Sequence, residues 1–503
     1  MFSILGENTE IIKNDSLFED IKLNFFIQTK NLCLPEKFIT TDAETIKIRQ
    51  AIFSEIMENE HLPAFFQKLN SNIELINEYR QKIRYYPEKA ANEALYYSFR
   101  EFLIFIETIE LIIENLANSK NQDLLRLYER AISVKDSVWY NNAKNYIGNI
   151  DSNLRNIKSV LIGVNLNAQL SPFEAGIVSV SDKPFVSNSL FDKLFSSKAE
   201  DDRHICIAPL KISESAEVKG LNMSIYSALN DIVGGSLKKI RKILETEFIN
   251  SSDFIFDISE EIKFIDICIK YITYARKCGI KLCMPAVSSE HEIEGLCSLE
   301  LMYGEKSGHI VCNDVLFDSS GKIHILSGSN SGGKSVYLRS VGAAQILFQM
   351  GMPIPAKSAK MKIYSSIFSC FRNKVRDNVG GSFENECNLI ARILKNATDE
   401  SLILFDEVFS TTNSYDAYLI AKKMLEYIAA SGCSMIYVTH IHELINNIDY
   451  INSINGIKSK ICFLSAECAG SEKRYKIVRR KGDYYNATNE ILKKCGLDFL
   501  DVV

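Results

Sequence analysis

Eight residues constrain this chain more than any other stretch: Gly328-Ser329-Asn330-Ser331-Gly332-Gly333-Lys334-Ser335, which fit the spacing G-x-x-x-x-G-K-[ST]. The apolar run Ile323 to Leu326 precedes them and reads as a buried strand; Val336 to Met350 follows and reads as a helix. Glycines let the backbone curl until successive N–H groups face one phosphate, and the helix N-terminus adds its positive end. Lys334 is then placed to reach β- and γ-phosphates, and the Ser335 hydroxyl to ligate Mg2+. Taken alone, the same pattern also fits a glycine-rich turn that binds nothing.

The surroundings decide between the two. Ser401-Leu402-Ile403-Leu404-Phe405-Asp406-Glu407 reads as a central strand ending in adjacent carboxylates, which the period of two points in different directions. Asp406 can hold the shell of a magnesium ion while Glu407 orients or deprotonates a water. A third strand, Ser434 to Thr439, delivers His440. Ligands of open α/β sheets bind at the carboxyl ends of the strands, so three strand ends converge on one nucleotide site.

A chain of 503 residues has room for two to four domains, and 46% apolar with 24% charged residues describes a globular, helix-rich protein rather than a disordered one. The net charge of −5 means that any nucleic-acid contact must come from a local basic face. The 13 cysteines form no C-x-x-C pair, and Cys278 and Cys283 have no histidine neighbours to complete a zinc site, so buried reduced thiols are expected. Met1 to Asn14 lacks the basic start and apolar core of a signal peptide, and no apolar run approaches a bilayer span. A cytoplasmic protein without a membrane partner is expected.

Residues 40 to 150 are helical in pattern, with Leu95, Phe99, Phe102, Ile106, Ile109, Ile113 and Leu116 forming one core seam. Phe105-Ile106-Glu107 matches the short Phe-x-Glu pattern of mismatch readers, but it lies inside that seam and reads as core. Near residue 158 the period changes to two: Val160, Ile162, Val164 and Leu166 alternate, and Ile177 to Val180 and Ile205 to Ile207 are further β-like runs. Lys219 to Phe248 and Phe254 to Lys277 read as helices, the second with Ile258, Ile262, Ile265, Ile269 and Ile272 on one stripe. The Lys238 to Lys242 cluster and the basic residues from Lys473 to Lys481 read as solvated faces. Ile461 to Leu464 and Tyr475 to Val478 are predicted to pair, and Asn486 to Lys494 to form a last helix.

With these residues in view, about residues 290 to 498 resemble the ATPase domain of the MutS family of DNA mismatch-repair proteins. The resemblance rests on Asn313-Asp314, Gly328 to Arg339, Pro355-Ala356, Ser358-Ala359, Ser382-Phe383 with Glu386, and Ile393-Leu394 with Asn396-Ala397-Thr398. It continues through Asp406-Glu407, Ser414-Tyr415-Asp416 and Thr439-His440-Ile441-His442-Glu443-Leu444. It implies ATP and Mg2+ as cofactors, with phosphates held by Gly328, Ser329, Asn330, Ser331, Gly332, Gly333, Lys334, Ser335 and Val336, the Asn330 side chain included. It further implies magnesium at Ser335 and Asp406, water activation by Glu407, γ-phosphate sensing by His440, and a catalytic role for Lys334.

The resemblance also implies an architecture: an ABC-like α/β P-loop ATPase domain of MutS type at residues 286–503, behind a mainly α-helical lever. The lever would occupy residues 1–154 and return through 219–285, with a small β-containing, clamp-like insertion at 155–218. A homodimer is implied in which each subunit's signature loop, here about Val408 to Asp416, completes the other's ATP site. That loop departs from the family's usual Gly-Arg-Gly-Thr-Ser-Thr-Tyr-Asp-Gly: it reads Phe409-Ser410-Thr411-Thr412-Asn413-Ser414-Tyr415-Asp416-Ala417, without two glycines and with Asn413 for a serine. Ile310 stands where an adenine-stacking aromatic is usual. The expectation is a short MutS-like ATPase with lever and motor but no mismatch reader, clamping duplex or branched DNA. The other classes are an ATPase whose helical arms hold a protein partner, and a nucleotide-binding scaffold of low turnover.

Overall fold

The computed structural model describes residues 2–6, 9–23, 34–85, 91–145, 159–169, 172–181, 183, 249–303, 310–328, 332–371, 382–410, 412–469 and 472–480. Several predicted features lie outside these residues: the Ile205 to Ile207 run, the Lys219 to Phe248 helix with its Lys238 to Lys242 cluster, and the Asn486 to Lys494 helix. The chain is mixed α/β and divides into two compact units, one of Met1–Ile4 with Ala64–Ile262, the other of Leu5–Pro63 with Lys263–Val503. No helix of the described residues is long and apolar enough to cross a membrane.

The second unit begins with strand β1 (Ile12–Lys13) and the short helix Leu17–Asp20, a part of the chain that the sequence pattern grouped with the helical region. The helix Ala43–Glu58 follows, capped by Asp42, whose Oδ2 accepts the Thr45 N–H at 2.7 Å. Arg49 on this helix is fully buried, a position a guanidinium tolerates only when hydrogen-bonded. It donates to the carbonyls of Leu5, at 3.0 Å, and Phe38.

The first unit is built on the helices His61–Tyr85, Ala91–Leu116 and Gln122–Lys135. Phe102, Ile106, Ile109 and Leu116 are buried as the seam predicts, as is Phe105; the stripe continues through Ile112 rather than Ile113, which is half-buried. Strands β2 (Ser159–Leu166) and β3 (Pro172–Ser181) pair antiparallel where the alternation predicts strands. Val164, Leu166 and Val178 of this hairpin are exposed. The helices Ile249–Asp257 and Ser259–Lys277 end the helical region, with the Ile258 to Ile272 stripe buried as expected.

The rest of the second unit carries two sheets. The smaller has four strands in the order β4-β8-β5-β6, made from β4 (Ala286–Val287), β5 (His291–Leu296), β6 (Asn313–Phe317) and β8 (Ser358–Met361). The larger adds β7 (Ile323–Ser327), β9 (Ser366–Phe371), β10 (Ser401–Asp406), β11 (Ser434–Val438), β12 (Ile461–Ala469) and β13 (Glu472–Arg480) to β1, in the order β1-β9-β10-β11-β7-β12-β13. Every pairing in it is parallel except β12 with β13. Strands β7, β10 and β11 are buried at every position, which is why they read as apolar runs, interrupted in β7 only by His324, instead of alternating ones. The helix Lys334–Gln349 packs on this sheet through Gly342: a Cβ there would stand 2.7 Å from both Ile21 Cγ2 and Leu404 Cδ1.

One expectation is overturned. Cys297 and Cys312, expected as reduced thiols, form a disulfide with Cα atoms 4.4 Å apart. The antiparallel pairing of β5 with β6 sets Leu296 opposite Asn313, so the two cysteines meet where that ladder ends. Sequence spacing carries no trace of that register. Cys268, Cys370, Cys433 and Cys462 are free and buried, as expected.

Candidate functional site

The glycine-rich loop leaves β7 at Ser327 and turns through two residues of positive φ, Gly328 at 139° and Gly333 at 84°. A side chain would be strained at both, so the glycines are required by the path of the backbone. Gly333 caps the helix Lys334–Gln349, whose first N–H groups are unpaired by helix geometry and available to an anion. Ser329, Asn330 and Ser331 lie outside the described residues, and Val336 is half-buried in the first turn of the helix. The Lys334 side chain is buried and folds back, its Nζ donating to the Gly328 carbonyl at 2.9 Å. Burial lowers its pKa below the ordinary lysine value, and the Glu407 and Asp406 carboxylates oppose that shift.

Strand β10 delivers Asp406, which is 8% exposed. Burial raises its pKa above the ordinary aspartate value, and a hydrogen bond from Ser335 works against the rise. Asp406 Oδ1 is buried with no hydrogen-bond partner among the described residues. A buried, partnerless carboxylate oxygen beside a serine hydroxyl suits a small, hard divalent cation, which needs few protein ligands because it keeps several waters. Among the described residues there is no cluster of three or more His, Cys, Asp or Glu of the kind a dedicated metal cage uses.

Past the strand end the chain turns sharply, and Glu407 and Phe409 both take positive φ, 54° and 65°. Such angles are rare outside glycine and are held here by surrounding contacts. The Glu407 N–H donates to the Val438 carbonyl at 2.9 Å, and Phe409 is buried. The turn aims the Glu407 carboxylate at His440, with Oε1 2.8 Å from Nε2. His440 follows β11, whose end is tied to β7 by the Thr439 N–H donating to the Leu326 carbonyl at 3.1 Å. In the signature loop Asn413 is the N-cap of the helix Ser414–Ser431, its Oδ1 accepting the Asp416 N–H at 2.9 Å.

The fold therefore gathers Gly328, Gly332, Gly333, Lys334, Ser335, Asp406, Glu407 and His440 at the ends of β10, β11 and β7. Three further residues stand here to which the sequence reading gave no role in the site. His442 Nδ1 is 3.4 Å from Ser327 Oγ, and its pKa is lowered by burial and then by His440. In the sequence it stood only as one member of the Thr439 to Leu444 run that carries the resemblance. Asn313 and Tyr475 meet at the other side of the loop, joined by Asn313 Nδ2 donating to the Tyr475 carbonyl at 3.2 Å. No spacing rule connects residues so far apart in the chain.

Residues 324–476 match the family model MutS domain V. The chain is 42% identical over 135 residues to the DNA mismatch repair protein MutS of Prochlorococcus marinus (strain MIT 9312), covering 26% of this chain and 15% of the relative. It is 34% identical over 224 residues to the MutS of Leptospira interrogans serogroup Icterohaemorrhagiae serovar copenhageni, covering 41% of this chain and 26% of that protein. Against the MutS of Caldicellulosiruptor bescii it is 39% identical over 153 residues, covering 29% and 17%. The chain thus spans roughly a quarter or less of the length of these curated relatives. Over this domain, the chain is similar to the DNA mismatch repair proteins MutS.

Proposed function

We propose that the second unit is a magnesium-dependent P-loop ATPase of MutS type, and that the protein works as a homodimer that couples ATP binding and hydrolysis to clamping of duplex or branched DNA. The observation that carries the enzymatic part is the convergence of a buried lysine, a buried aspartate paired with a serine hydroxyl, and a glutamate held by a histidine at three neighbouring strand ends. ATP phosphates would lie on Gly328 to Ser335, with the Lys334 ammonium turning from the Gly328 carbonyl to the β- and γ-phosphate oxygens. Magnesium, held by Ser335 and Asp406, would neutralise phosphate charge as it develops. Glu407 orients the attacking water and accepts its proton. His440 fixes the Glu407 carboxylate and stands where the γ-phosphate arrives. Replacing Glu407 by Gln removes the base and keeps the shape.

The helical region with its β2–β3 insertion would form the lever and clamp that carry nucleotide-driven closure to DNA, in a cytoplasmic protein. One observation favours a different partner. Strands β2 and β3 carry a single charged residue, Glu174, and expose Val164, Leu166 and Val178. Phosphate backbones are bound by cations, so an apolar hairpin whose strands carry no Lys or Arg suits a protein partner better. Steady-state ATP hydrolysis with linear duplex, mismatched duplex and four-way junction, at two salt concentrations, separates the readings. Stimulation by DNA that fades at higher salt supports the clamp; turnover indifferent to every DNA favours the protein partner. Glu407→Gln should bind ATP and lose about 100-fold or more in turnover; unchanged turnover would overturn the assignment of Glu407 as the base.

A further inference from the structure

The helix that opens at Lys334 is gripped near its start from opposite sides. Tyr337 and Arg339 are neighbours but one, so at about 100° per residue their side chains leave the helix about 200° apart. Tyr337, which is buried, donates its hydroxyl to the Asp314 carbonyl on β6 at 3.2 Å. Arg339 Nε donates to Glu300 Oε2 at 2.8 Å, in the first turn of the short helix Leu299–Tyr303. One grip therefore comes from the start of β6 and the other from the segment that follows β5. Each segment carries one cysteine of the disulfide, Cys312 directly before β6 and Cys297 directly after β5, so the covalent link ties the two grips to each other.

The bridge also sits in a web of hydrogen bonds around the loop. The Cys297 N–H donates to the Pro355 carbonyl at 2.8 Å, and the Cys312 carbonyl accepts from Lys476 Nζ at 3.1 Å. Asn313, next to Cys312, accepts the Ile477 N–H on Oδ1 at 2.8 Å and holds the Tyr475 carbonyl through Nδ2, keeping Tyr475 at a strained φ of 53°. Two observations speak against a fixed staple. Seven cysteines among the described residues are free, and the unit that holds the bridge has a seven-stranded sheet with a buried core, so it does not need a covalent link in the way that small, coreless domains do. The sulfurs are also unequal: Cys297 is buried, whereas Cys312 is half-buried and open to a small thiol.

We propose that Cys297 and Cys312 form a thiol–disulfide exchange site, with a small dithiol and its disulfide as co-substrates, whose oxidation state sets how tightly the phosphate loop holds a nucleotide. The inference rests on the nucleotide reading given above. A dithiol's thiolate attacks Cys312 Sγ, forming a mixed disulfide and breaking the bond to Cys297, whose thiolate takes up a proton. The dithiol's second thiolate then attacks its own sulfur in the mixed disulfide and releases Cys312 as a thiol. Two electrons pass from dithiol to protein, and the oxidised dithiol reverses the reaction. With the link open, the β6 grip and the Glu300 grip on the helix move independently, and the N–H groups at its start are no longer held ready for phosphate.

The test equilibrates the full chain with mixtures of reduced and oxidised dithiothreitol and measures ATP binding in the presence of magnesium, at a temperature where circular dichroism shows both forms folded. The reduced protein should bind ATP about tenfold more weakly than the oxidised one. Linkage is reciprocal, so saturating ATP should favour the disulfide by the same factor, lowering the reduction potential of the pair by about 30 mV for two electrons; alkylation of Cys297 and Cys312 reads this directly. A double variant, Cys297→Ser with Cys312→Ser, should bind ATP as the reduced wild type does and ignore the mixture. Equal ATP affinity in both forms would overturn the proposal while leaving the nucleotide site standing. A pair that stays oxidised in the most reducing mixture, or a double variant that still responds to reductant, would overturn it as well. Wild-type protein that bound no ATP in either form would overturn the nucleotide reading and this inference with it.

Discussion

Two enclosed histidines make the second unit acid-sensitive in a way that can be worked from their surroundings. His291 on β5 and His324 on β7 are 2% and 1% exposed. Both pack on Phe317, His324 face to face at 4.4 Å and His291 edge-on at 5.0 Å between centroids. Burial is the main cause that pulls their pKa values from 6.5 down to about 3 for His291 and about 4 for His324. Both are therefore neutral in the folded protein, while the unfolded chain takes up a proton on each as pH falls below 6.5. Their contribution to stability is complete above that value and is lost as pH falls toward the folded values. At about pH 5 each histidine has lost about 1.5 pH units of linkage at about 1.4 kcal/mol per unit, or about 4 kcal/mol for the pair. Asp42, Glu294, Glu300 and Asp318, whose pKa values are lowered from 3.8 or 4.5, act further down the scale. The variant is His291→Phe with His324→Phe, compared with wild type by urea unfolding between about pH 8 and pH 5. The chain's single tryptophan, Trp139, belongs to the other unit, so far-ultraviolet circular dichroism is the better probe. The wild type should lose about 4 kcal/mol over this range and the double variant less than about 1 kcal/mol. Equal losses in both proteins would refute the reasoning.

Two stability changes follow from close packing and from the covalent link. Gly342→Ala should destabilise: overpacking against Ile21 and Leu404, each 2.7 Å from the new Cβ, costs about 1–3 kcal/mol, against about 1 kcal/mol gained by removing a helical glycine. A rise in melting temperature would contradict that ranking. Replacing Cys297 and Cys312 together by Ala opens a loop of sequence separation 15 and should cost about 3 kcal/mol under oxidising conditions. Dithiothreitol should bring the wild type to the same melting temperature, and a wild type indifferent to reductant would show that the link is not formed in solution.

The parts of the site that were legible in the sequence are those encoded locally. Leu402 to Phe405 and Met435 to Val438 are continuous apolar runs, and Ile323 to Leu326 is one broken only by His324, because a central parallel strand is buried on both faces. Each hands its last residues to the sheet edge, so Lys334, Asp406, Glu407 and His440 could be placed by counting from a strand end. What stayed hidden depends on register between distant segments. Cys297 and Cys312 meet because Leu296 pairs with Asn313, and Tyr475 is strained because Asn313 holds it from another sheet. The positive φ of Glu407 is a third case: neither residue type nor spacing calls for it, yet it turns the carboxylate toward His440.

The stretch that matches MutS domain V and the unit that folds are also not the same object. The match covers residues 324–476, but the sheet it describes is completed from the far end of the chain. Strand β1 pairs with β9 for only two residues, Ile12 with Ser366 and Lys13 with Ile367. Further along the same edge, the Asn14 side chain takes over the role of a strand backbone: its Oδ1 accepts the Ser369 N–H at 2.8 Å and its Nδ2 donates to the Ser369 carbonyl at 2.9 Å. Asp20, buried at 5% exposure, then ties the segment down by accepting from Ser369 Oγ at 2.6 Å and Ser16 Oγ at 2.8 Å. An open strand edge invites pairing with another chain, and proteins close such edges with short strands or covering loops. Here a two-residue strand and one amide side chain do so; residues Leu5–Pro63 group with the seven-stranded sheet in one compact unit, and a fragment cut at the limits of the match would leave the β9 edge bare.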